Sequence, residues 1–167
     1  MKIHNVHERR LTAPVSEVGA LLDGLATPSD RLWPHESWPP MVLDGGLREG
    51  SHGGHGPVRY SVERYEPGRT VAFRFDPTGL TAGFDGHHTF EAVPDGDATV
   101  LRHTIDATAG LAAWTRWALL VRPLHDALLE DALDKAERAI KGSVVRPARW
   151  SPWVRALLAV MRRRRTP

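Results

Sequence analysis

Two alternating runs joined by an Asp-Gly turn constrain the fold of this chain more than any other feature. Residues 83–107 read GFDGHHTFEAVPDGDATVLRHTIDA, and Pro94-Asp95-Gly96-Asp97 at their centre has the composition of a hairpin turn. If Val93 opposes Ala98, two histidines face each other across the strands. The same face of the hairpin then carries Phe90, Leu101 and Ile105 together with His88 and His103. The sequence therefore predicts a half-buried hairpin with a pair of histidines on its apolar face.

Alternating segments on both sides of the hairpin predict a mostly antiparallel sheet. Strands are expected at 2–12, 41–43, 58–65 and 70–76. Leu11 favours one face of the first strand as the buried one. That face also carries Ile3, Asn5, His7 and Arg9. The glycine-rich segment 49–56 predicts a loop between two of the strands.

Three other segments have the signals of helices. Pro14 suits the first turn of a helix whose apolar residues recur at helical spacing. They are Val15, Val18, Leu21, Leu22 and Leu25. A second short helical turn is expected at 27–33. From Leu111 to Lys141 a broad apolar stripe predicts one long helix, which Pro123 should kink or divide and Gly142 should end.

Charge and composition narrow the class of protein. Residues 143–167 contain seven arginines and no acid, which leaves 15 basic against 20 acidic residues in the rest of the chain. This distribution argues against specific nucleic-acid binding by the body. The chain has no cysteine, no apolar leader and no run long enough to span a membrane. We therefore expect a cytoplasmic protein, with peripheral contact with a membrane left open by the basic tail.

The order of the predicted elements resembles the START-like superfamily, also called SRPBCC, which has the helix-grip fold. Its members include polyketide cyclases, aromatases, lipid-transfer domains and plant pathogenesis-related ligand binders. Three stretches carry the resemblance: Leu11-Thr12-Ala13-Pro14 before the first helix, the hairpin 86–103, and Leu133-Asp134-Lys135-Ala136-Glu137 in the long helix. One departure is Gly19, at a position where many relatives carry an aromatic residue.

The resemblance implies an α+β fold, with a curved antiparallel sheet of six or seven strands wrapped around a long C-terminal helix. Residues 1–142 would form the ligand-binding domain, and 143–167 a basic amphipathic tail outside it. The resemblance also implies a cavity between sheet and helix for a small hydrophobic ligand such as a lipid, a polyketide or an aromatic metabolite. The residues expected to line it are Tyr60, Phe73, Phe75, His88, Phe90, His103, Ile105, Trp117, Val121 and His125.

The histidine pair has three interpretations that the sequence leaves open. His88 and His103 could be a hydrogen-bonded pair in the core, contacts to a ligand, or acid–base groups of a polyketide cyclase or dehydratase. Imidazole titrates near neutrality, so a buried histidine can hold or move a proton. His7, Arg9 and His125 are candidates to join this cluster. Whether the protein is an enzyme therefore stays open at this point.

No cofactor is expected from the motifs. No acid or cysteine stands at a recognised zinc spacing from a histidine, so the sequence indicates no metal site. The glycine-rich segment lacks the GK[ST] ending of a phosphate-binding loop. A lid over the cavity mouth, or a plain mobile loop, is the alternative for that segment.

The C-terminal tail combines apolar residues with arginines. A short helix there would carry Trp150, Trp153, Val154, Leu157, Leu158, Val160 and Met161, followed by Arg162, Arg163, Arg164 and Arg165. Tryptophan and arginine on an amphipathic helix are typical of a segment that lies on an anionic membrane. The alternatives are packing against the body, packing against a second copy in a homodimer, and disorder at the last residues. The tail is therefore a candidate membrane, partner or regulatory contact.

Overall fold

One antiparallel sheet of seven strands forms the scaffold of this computed structural model, which describes residues 1–163, with side chains described as far as Met161. The order of the strands across the sheet is β1-β7-β6-β5-β4-β3-β2. Their bounds are β1 Lys2–Leu11, β2 Met41–Leu43, β3 His52–His55, β4 Val58–Glu66, β5 Thr70–Phe75, β6 Phe84–Asp95 and β7 Ala98–Ala109. From β2 to β7, strands that are neighbours in the sheet are also neighbours in sequence, so no crossover connection is needed between them.

The helices lie before and after the run of strands. They are α1 Val15–Asp23, α2 Leu111–Arg116, α3 Arg122–Lys141 and α4 Pro152–Arg163. A π-helical turn, Trp117–Val121, joins α2 to α3, so that one long helix runs from 111 to 141. It ends at Gly142, whose left-handed conformation (φ 77°) caps the helix. The predicted α+β fold, a curved antiparallel sheet around a long C-terminal helix, is confirmed.

The central hairpin forms on the predicted faces but in a different register. Asp95 pairs with Ala98, so the turn is only two residues long and the predicted pairing of Val93 with Ala98 is wrong. Gly96 takes the positive φ of 63° that such a short turn requires. Because the shift is two residues, every side chain keeps its predicted face. His88 now lies opposite Ile105 and not opposite a histidine.

The glycine-rich segment 49–56 is not the predicted loop throughout, because His52–His55 forms β3 between β2 and β4. A side chain on Gly53 would place its Cβ 1.9 Å from the Val42 carbonyl oxygen. At Gly54 the same atom would lie 2.0 Å from the Val58 carbonyl oxygen. These glycines permit close approach of neighbouring backbones, and their number is therefore no sign of a mobile lid.

The N-terminal part shows one further difference from prediction. The first helix forms, and Gly19 within it faces the turn between β4 and β5 so closely that a Cβ would lie 2.2 Å from the Gly68 carbonyl oxygen. The expected second short helix does not form, and residues 27–33 make successive turns. Asp30 accepts the backbone N–H groups of Leu32 and Trp33 at 2.8 and 2.7 Å, which favours a turn over a helix.

Pro123 divides the long helix as predicted. It has no N–H to donate to the carbonyl of Leu119, and the helix widens into the π-helical turn just before it. The indole N–H of Trp153 donates to that Leu119 carbonyl at 3.1 Å. The C-terminal helix α4 thus contacts the long helix at its irregular turn.

The described part of the tail packs against the body. Val154 and Leu158 are buried in the main core, whereas Trp153 is 54% exposed and Val160 53% exposed. Asp134 on α3 accepts the backbone N–H of Ala148 at 2.7 Å, which fixes the segment before α4. The predicted arginine contacts at Arg164 and Arg165 lie outside the described residues, as do the side chains of Arg162 and Arg163.

A membrane span is not found in the part of the chain that the structure describes. None of its helices combines the length and the apolar character needed to cross a bilayer.

Candidate functional site

A cavity of about 90 Å³ lies between the sheet and the long helix. Seven of the ten residues expected to line it do so: Phe75, His88, His103, Ile105, Trp117, Val121 and His125. The other three, Tyr60, Phe73 and Phe90, are fully buried and lie behind the wall. Their rings support the histidines and do not themselves face the cavity.

The rest of the wall comes from residues that the sequence analysis did not name as cavity residues. They contribute Trp33, Trp38, His55, Phe84, Leu128 and Met161, among others. Trp33 and Trp38 belong to the proline-rich segment before β2, and Met161 belongs to α4. No local signal places Trp33, Trp38 and Met161 at the cavity, because their position depends on how distant segments fold back over the sheet.

His88 and His103 form a buried hydrogen-bonded pair. Nδ1 of His88 lies 3.2 Å from Nε2 of His103, and the two residues are only 5% and 2% exposed. The ring of His88 stacks on Phe73 and Phe75, with centroids 5.0 and 4.9 Å away. Burial lowers the pKa of both histidines well below the ordinary value, and neighbouring histidines add to the effect. Both imidazoles are therefore neutral at pH 7.

The neutral pair has one hydrogen-bond donor and one acceptor left over. Nε2 of His88 and Nδ1 of His103 are buried and have no partner among the described residues. A neutral imidazole carries one N–H and one bare nitrogen, so whichever ring donates within the pair fixes the state of both outer nitrogens. One of them is an N–H and the other a lone pair, and an exchange of protons reverses the assignment. Buried polar atoms of this kind normally have a partner, which can be a protein group, an ordered water or a polar group of a ligand.

His55 extends the polar wall on the side of β3. Its Nδ1 lies 3.1 Å from the hydroxyl of Tyr60, and the Tyr60 ring in turn meets His88 edge-on, with centroids 4.9 Å apart. Burial lowers the pKa of His55 to about 3, and the charges of His125 and Arg59 act in the same direction. Burial also raises the pKa of Tyr60. Both groups are neutral over the physiological pH range.

His125 and His7 continue the cluster towards solvent. The ring of His125 lies 5.0 Å from that of His103, and the ring of His7 lies 5.9 Å from that of His125. His7 contacts Asp126 through Nε2 at 3.0 Å and Glu130 through Nδ1 at 2.8 Å. Burial alone would lower the pKa of His7, but these two hydrogen bonds to carboxylates raise it above the ordinary value. The cluster therefore runs from the buried wall to a pair of partly exposed carboxylates.

Arg9, the remaining candidate on β1, is engaged elsewhere. Its guanidinium contacts Asp134 at 3.1 Å, Glu137 at 2.6 Å and Glu130 at 3.2 Å. The side chain of Glu137 is only 5% exposed, so this network ties β1 to α3 beneath the surface. Arg9 is thus a structural cation beside the cavity and does not line it.

Three of these side chains could hold a metal ion. A nitrogen of His7, a nitrogen of His125 and an oxygen of Asp126 all lie within 4.8 Å of one another. Sequence reasoning missed this group because it considered only spacings along the chain, and His7 stands more than a hundred residues before the other two. The only local sign of a metal site was that two residues able to bind metal, His125 and Asp126, are adjacent on a predicted helix.

Solved structures with the same fold include those of CalU16 and of norcoclaurine synthase. CalU16 from Micromonospora echinospora aligns with a TM-score of 0.57 and 20% identity over 94% of this chain and 82% of its own. Norcoclaurine synthase from Thalictrum flavum, solved in complex with dopamine and hydroxybenzaldehyde, aligns with a TM-score of 0.61. Its identity is 16%, over 80% of this chain and 84% of its own. At these identities the comparison establishes the fold alone.

Comparison at the level of sequence gives a more specific result. A search among curated proteins finds no match. The profile of a family described as polyketide cyclase / dehydrase and lipid transport matches residues 2–141, which is most of the chain. That match spans all seven strands and the whole of the long helix. The chain belongs to the polyketide cyclase / dehydrase and lipid transport family.

Proposed function

We propose that this protein binds a small molecule that has an apolar body and at least one hydroxyl or carbonyl group. The observation that carries the proposal is the neutral pair His88–His103, whose outer nitrogens are buried without a partner beside an apolar cavity. A ligand hydroxyl can both donate and accept a hydrogen bond, so it suits a wall with one donor and one acceptor. The aromatic rings around the pair supply the apolar contact.

The volume of the cavity limits the size of the ligand. About 90 Å³ is less than the roughly 150 Å³ of an engineered cavity that binds benzene, and far less than typical ligand pockets of about 300–1,000 Å³. A single substituted ring would need a small expansion of the wall. A lipid or a polyketide would need movement of the wall segments outside the sheet, which carry Trp33, Trp38 and Met161.

The related structures suggest the first compounds to test. The ligands in the norcoclaurine synthase structure, dopamine and hydroxybenzaldehyde, are both phenols. A phenolic hydroxyl on one aromatic ring combines the two chemical features that the cavity offers. Phenol and benzene therefore form a matched pair of probes, which differ only in the hydroxyl group.

The test is an NMR titration of the full chain with phenol and with benzene. We expect phenol to bind about fivefold more tightly, since one additional net hydrogen bond contributes about 1 kcal/mol. The variant His88→Phe should remove this preference, whereas His52→Gln, at an exposed position on β3, should keep it. Equal affinities for the two probes in the wild type, or binding of neither, would overturn the proposal.

A second candidate, a cyclase or dehydratase, is supported by the same pair. One ring can accept a proton from a substrate at its outer nitrogen while the other ring donates a proton from its own outer nitrogen. A proton passed between the two rings keeps both neutral, so the pair can move a proton from one substrate atom to another without a change in its net charge. His88 and His103 would then be the acid–base groups. The test is exchange of the methyl protons of acetophenone for deuterium. Exchange that is lost in both His88→Gln and His103→Gln would support catalysis, and exchange that both variants retain would exclude it.

A further inference from the structure

We infer that His7, His125 and Asp126 form a binding site for one divalent transition-metal ion such as Zn²⁺. The three side chains come from two elements, His7 from β1 and the adjacent pair from the first turns of α3. This inference is independent of the proposed ligand, although His125 also lines the cavity. It assigns a function to residues that the histidine pair does not use.

The distances between the donor atoms are close to those of a metal site. Oδ1 of Asp126 lies 3.0 Å from Nε2 of His7 and 3.8 Å from Nδ1 of His125. Zinc binds nitrogen and oxygen at about 2.0–2.2 Å, which places two ligands of a tetrahedral site roughly 3.3–3.6 Å apart. The two distances lie on either side of this range, and no pair of the three atoms is more than 4.8 Å apart.

A carboxylate holds the outer nitrogen of His7, as is usual for a metal-bound histidine. While Nε2 of His7 faces Asp126, its Nδ1 lies 2.8 Å from a carboxylate oxygen of Glu130. Metal-bound histidines usually donate their other N–H to a carboxylate or carbonyl in this way, which fixes the tautomer and the ring. Asn5 donates to Oδ1 of Asp126 at 3.1 Å and fixes the carboxylate in the same manner. Two of the three ligands are therefore oriented by further side chains.

His125 supplies an independent observation. Its Nδ1 is buried and has no hydrogen-bond partner among the described residues, although Asp126 lies 3.8 Å away. An ion between the three side chains would give this nitrogen the partner that it lacks. The Asp126 side chain is 35% exposed, so an ion can reach the group from solvent. Arg122 approaches the other carboxylate oxygen of Asp126, Oδ2, at 3.5 Å.

The donor set indicates the kind of ion and its use. Two imidazoles and one carboxylate favour zinc and related transition metals over magnesium and calcium, which prefer oxygen ligands. Three protein ligands leave a position for water or for an oxygen of a bound molecule, as in catalytic zinc sites. Because His125 belongs to the cavity wall, the ion would lie where the polar end of a cavity ligand can approach it.

The experiment is titration of the chelator-treated full chain with Zn²⁺ by calorimetry and with Co²⁺ by visible absorption. We expect one ion per chain and the absorption bands of four- or five-coordinate Co²⁺. His125→Gln and Asp126→Asn should each weaken binding about a hundredfold or more. Glu130→Gln should weaken it about 10–100-fold, as expected for a residue that holds a ligand histidine in place. The matched control is His4→Gln, which removes an exposed histidine 2.7 Å from Asp106 and should leave the affinity unchanged.

Two results would overturn the inference. One is the absence of Zn²⁺ and Co²⁺ binding at micromolar concentrations by the wild type. The other is binding that His4→Gln weakens as much as His125→Gln does, since that would indicate adventitious binding by surface histidines. Circular dichroism of the metal-free variants checks that each is folded. If a variant is not folded, the ¹⁵N shifts of His7 and His125 in the wild type with and without Zn²⁺ decide the question.

Discussion

Acidification should destabilise this protein through His55, and the size of the effect follows from its position. The pKa of His55 is lowered to about 3 by burial and by nearby positive charges, against about 6.5 in the unfolded chain. Between these two values the unfolded chain binds a proton that the folded protein does not. Stability contributed by the neutral histidine is thus complete above pH 6.5 and is lost as the pH falls towards 3.

The magnitude at pH 5 comes from the titration of the unfolded chain. Lowering the pH from 7 to 5 stabilises the unfolded state by about 2 kcal/mol for one histidine with an unfolded pKa near 6.5. His88 and His103 act in the same direction, because burial lowers the pKa of each. His7 acts in the opposite direction, because its pKa is raised. A variant at His55 separates its contribution from all of these.

The assay is urea unfolding of the wild type and of His55→Gln at pH 7 and pH 5, with a chelator present. Glutamine cannot titrate but can still form a hydrogen bond with Tyr60. We expect the wild type to lose about 2 kcal/mol more than the variant between the two pH values. His52→Gln, on the same strand but exposed, should behave as the wild type does. Equal losses in the wild type and His55→Gln would refute the assignment of a neutral imidazole at His55.

Three further predictions concern the ion pair between Arg9 and Glu137 and the exposed side of α4. Glu137→Gln removes one partner of Arg9 beneath the surface and should lower the free energy of unfolding by about 3 kcal/mol, measured by urea titration at pH 7. The control is Glu66→Gln in the exposed ion pair with Arg64, which should lower the free energy of unfolding by less than about 1 kcal/mol. Burial alone would raise the pKa of Glu137, but Arg9 and Lys141 outweigh it and lower that pKa. The stability contributed by the charged carboxylate is therefore lost as the pH falls below about 4.5, and the difference in unfolding free energy between the wild type and Glu137→Gln should shrink there. Trp153→Ser should weaken flotation with phosphatidylserine vesicles if the exposed side of α4 contacts anionic lipid, and unchanged flotation would exclude that contact.

The faces of the strands could be predicted from sequence because alternation depends only on local pattern. His88, His103 and Leu101 are buried on one face, as expected, even though the pairing register was wrong by two residues. The register itself depends on the number of residues in the turn, and Pro94 in the turn sequence misled the prediction. Pro94 instead stays in β6, opposite Thr99.

The remainder of the site depends on contacts between distant parts of the chain. His55 lies in a glycine-rich stretch that has no alternation of apolar residues, so its burial had no local signal. The group of His7, His125 and Asp126 requires β1 and α3 to be neighbours, which a fold comparison implies but a spacing rule does not detect. Trp38 and Met161 reach the wall through segments that no regular pattern positions.

One carboxylate on the long helix determines how the tail can be studied. Asp131 accepts the indole N–H of Trp38 at 2.7 Å and that of Trp150 at 2.8 Å. The two indoles also meet edge-on, with centroids 5.6 Å apart. Removal of the chain after Gly142 would therefore take away one neighbour of Trp38, a residue of the cavity wall, as well as the arginines. A deletion would report on two effects at once, and single substitutions on the exposed side of α4 are the experiments that separate lipid contact from the shape of the cavity.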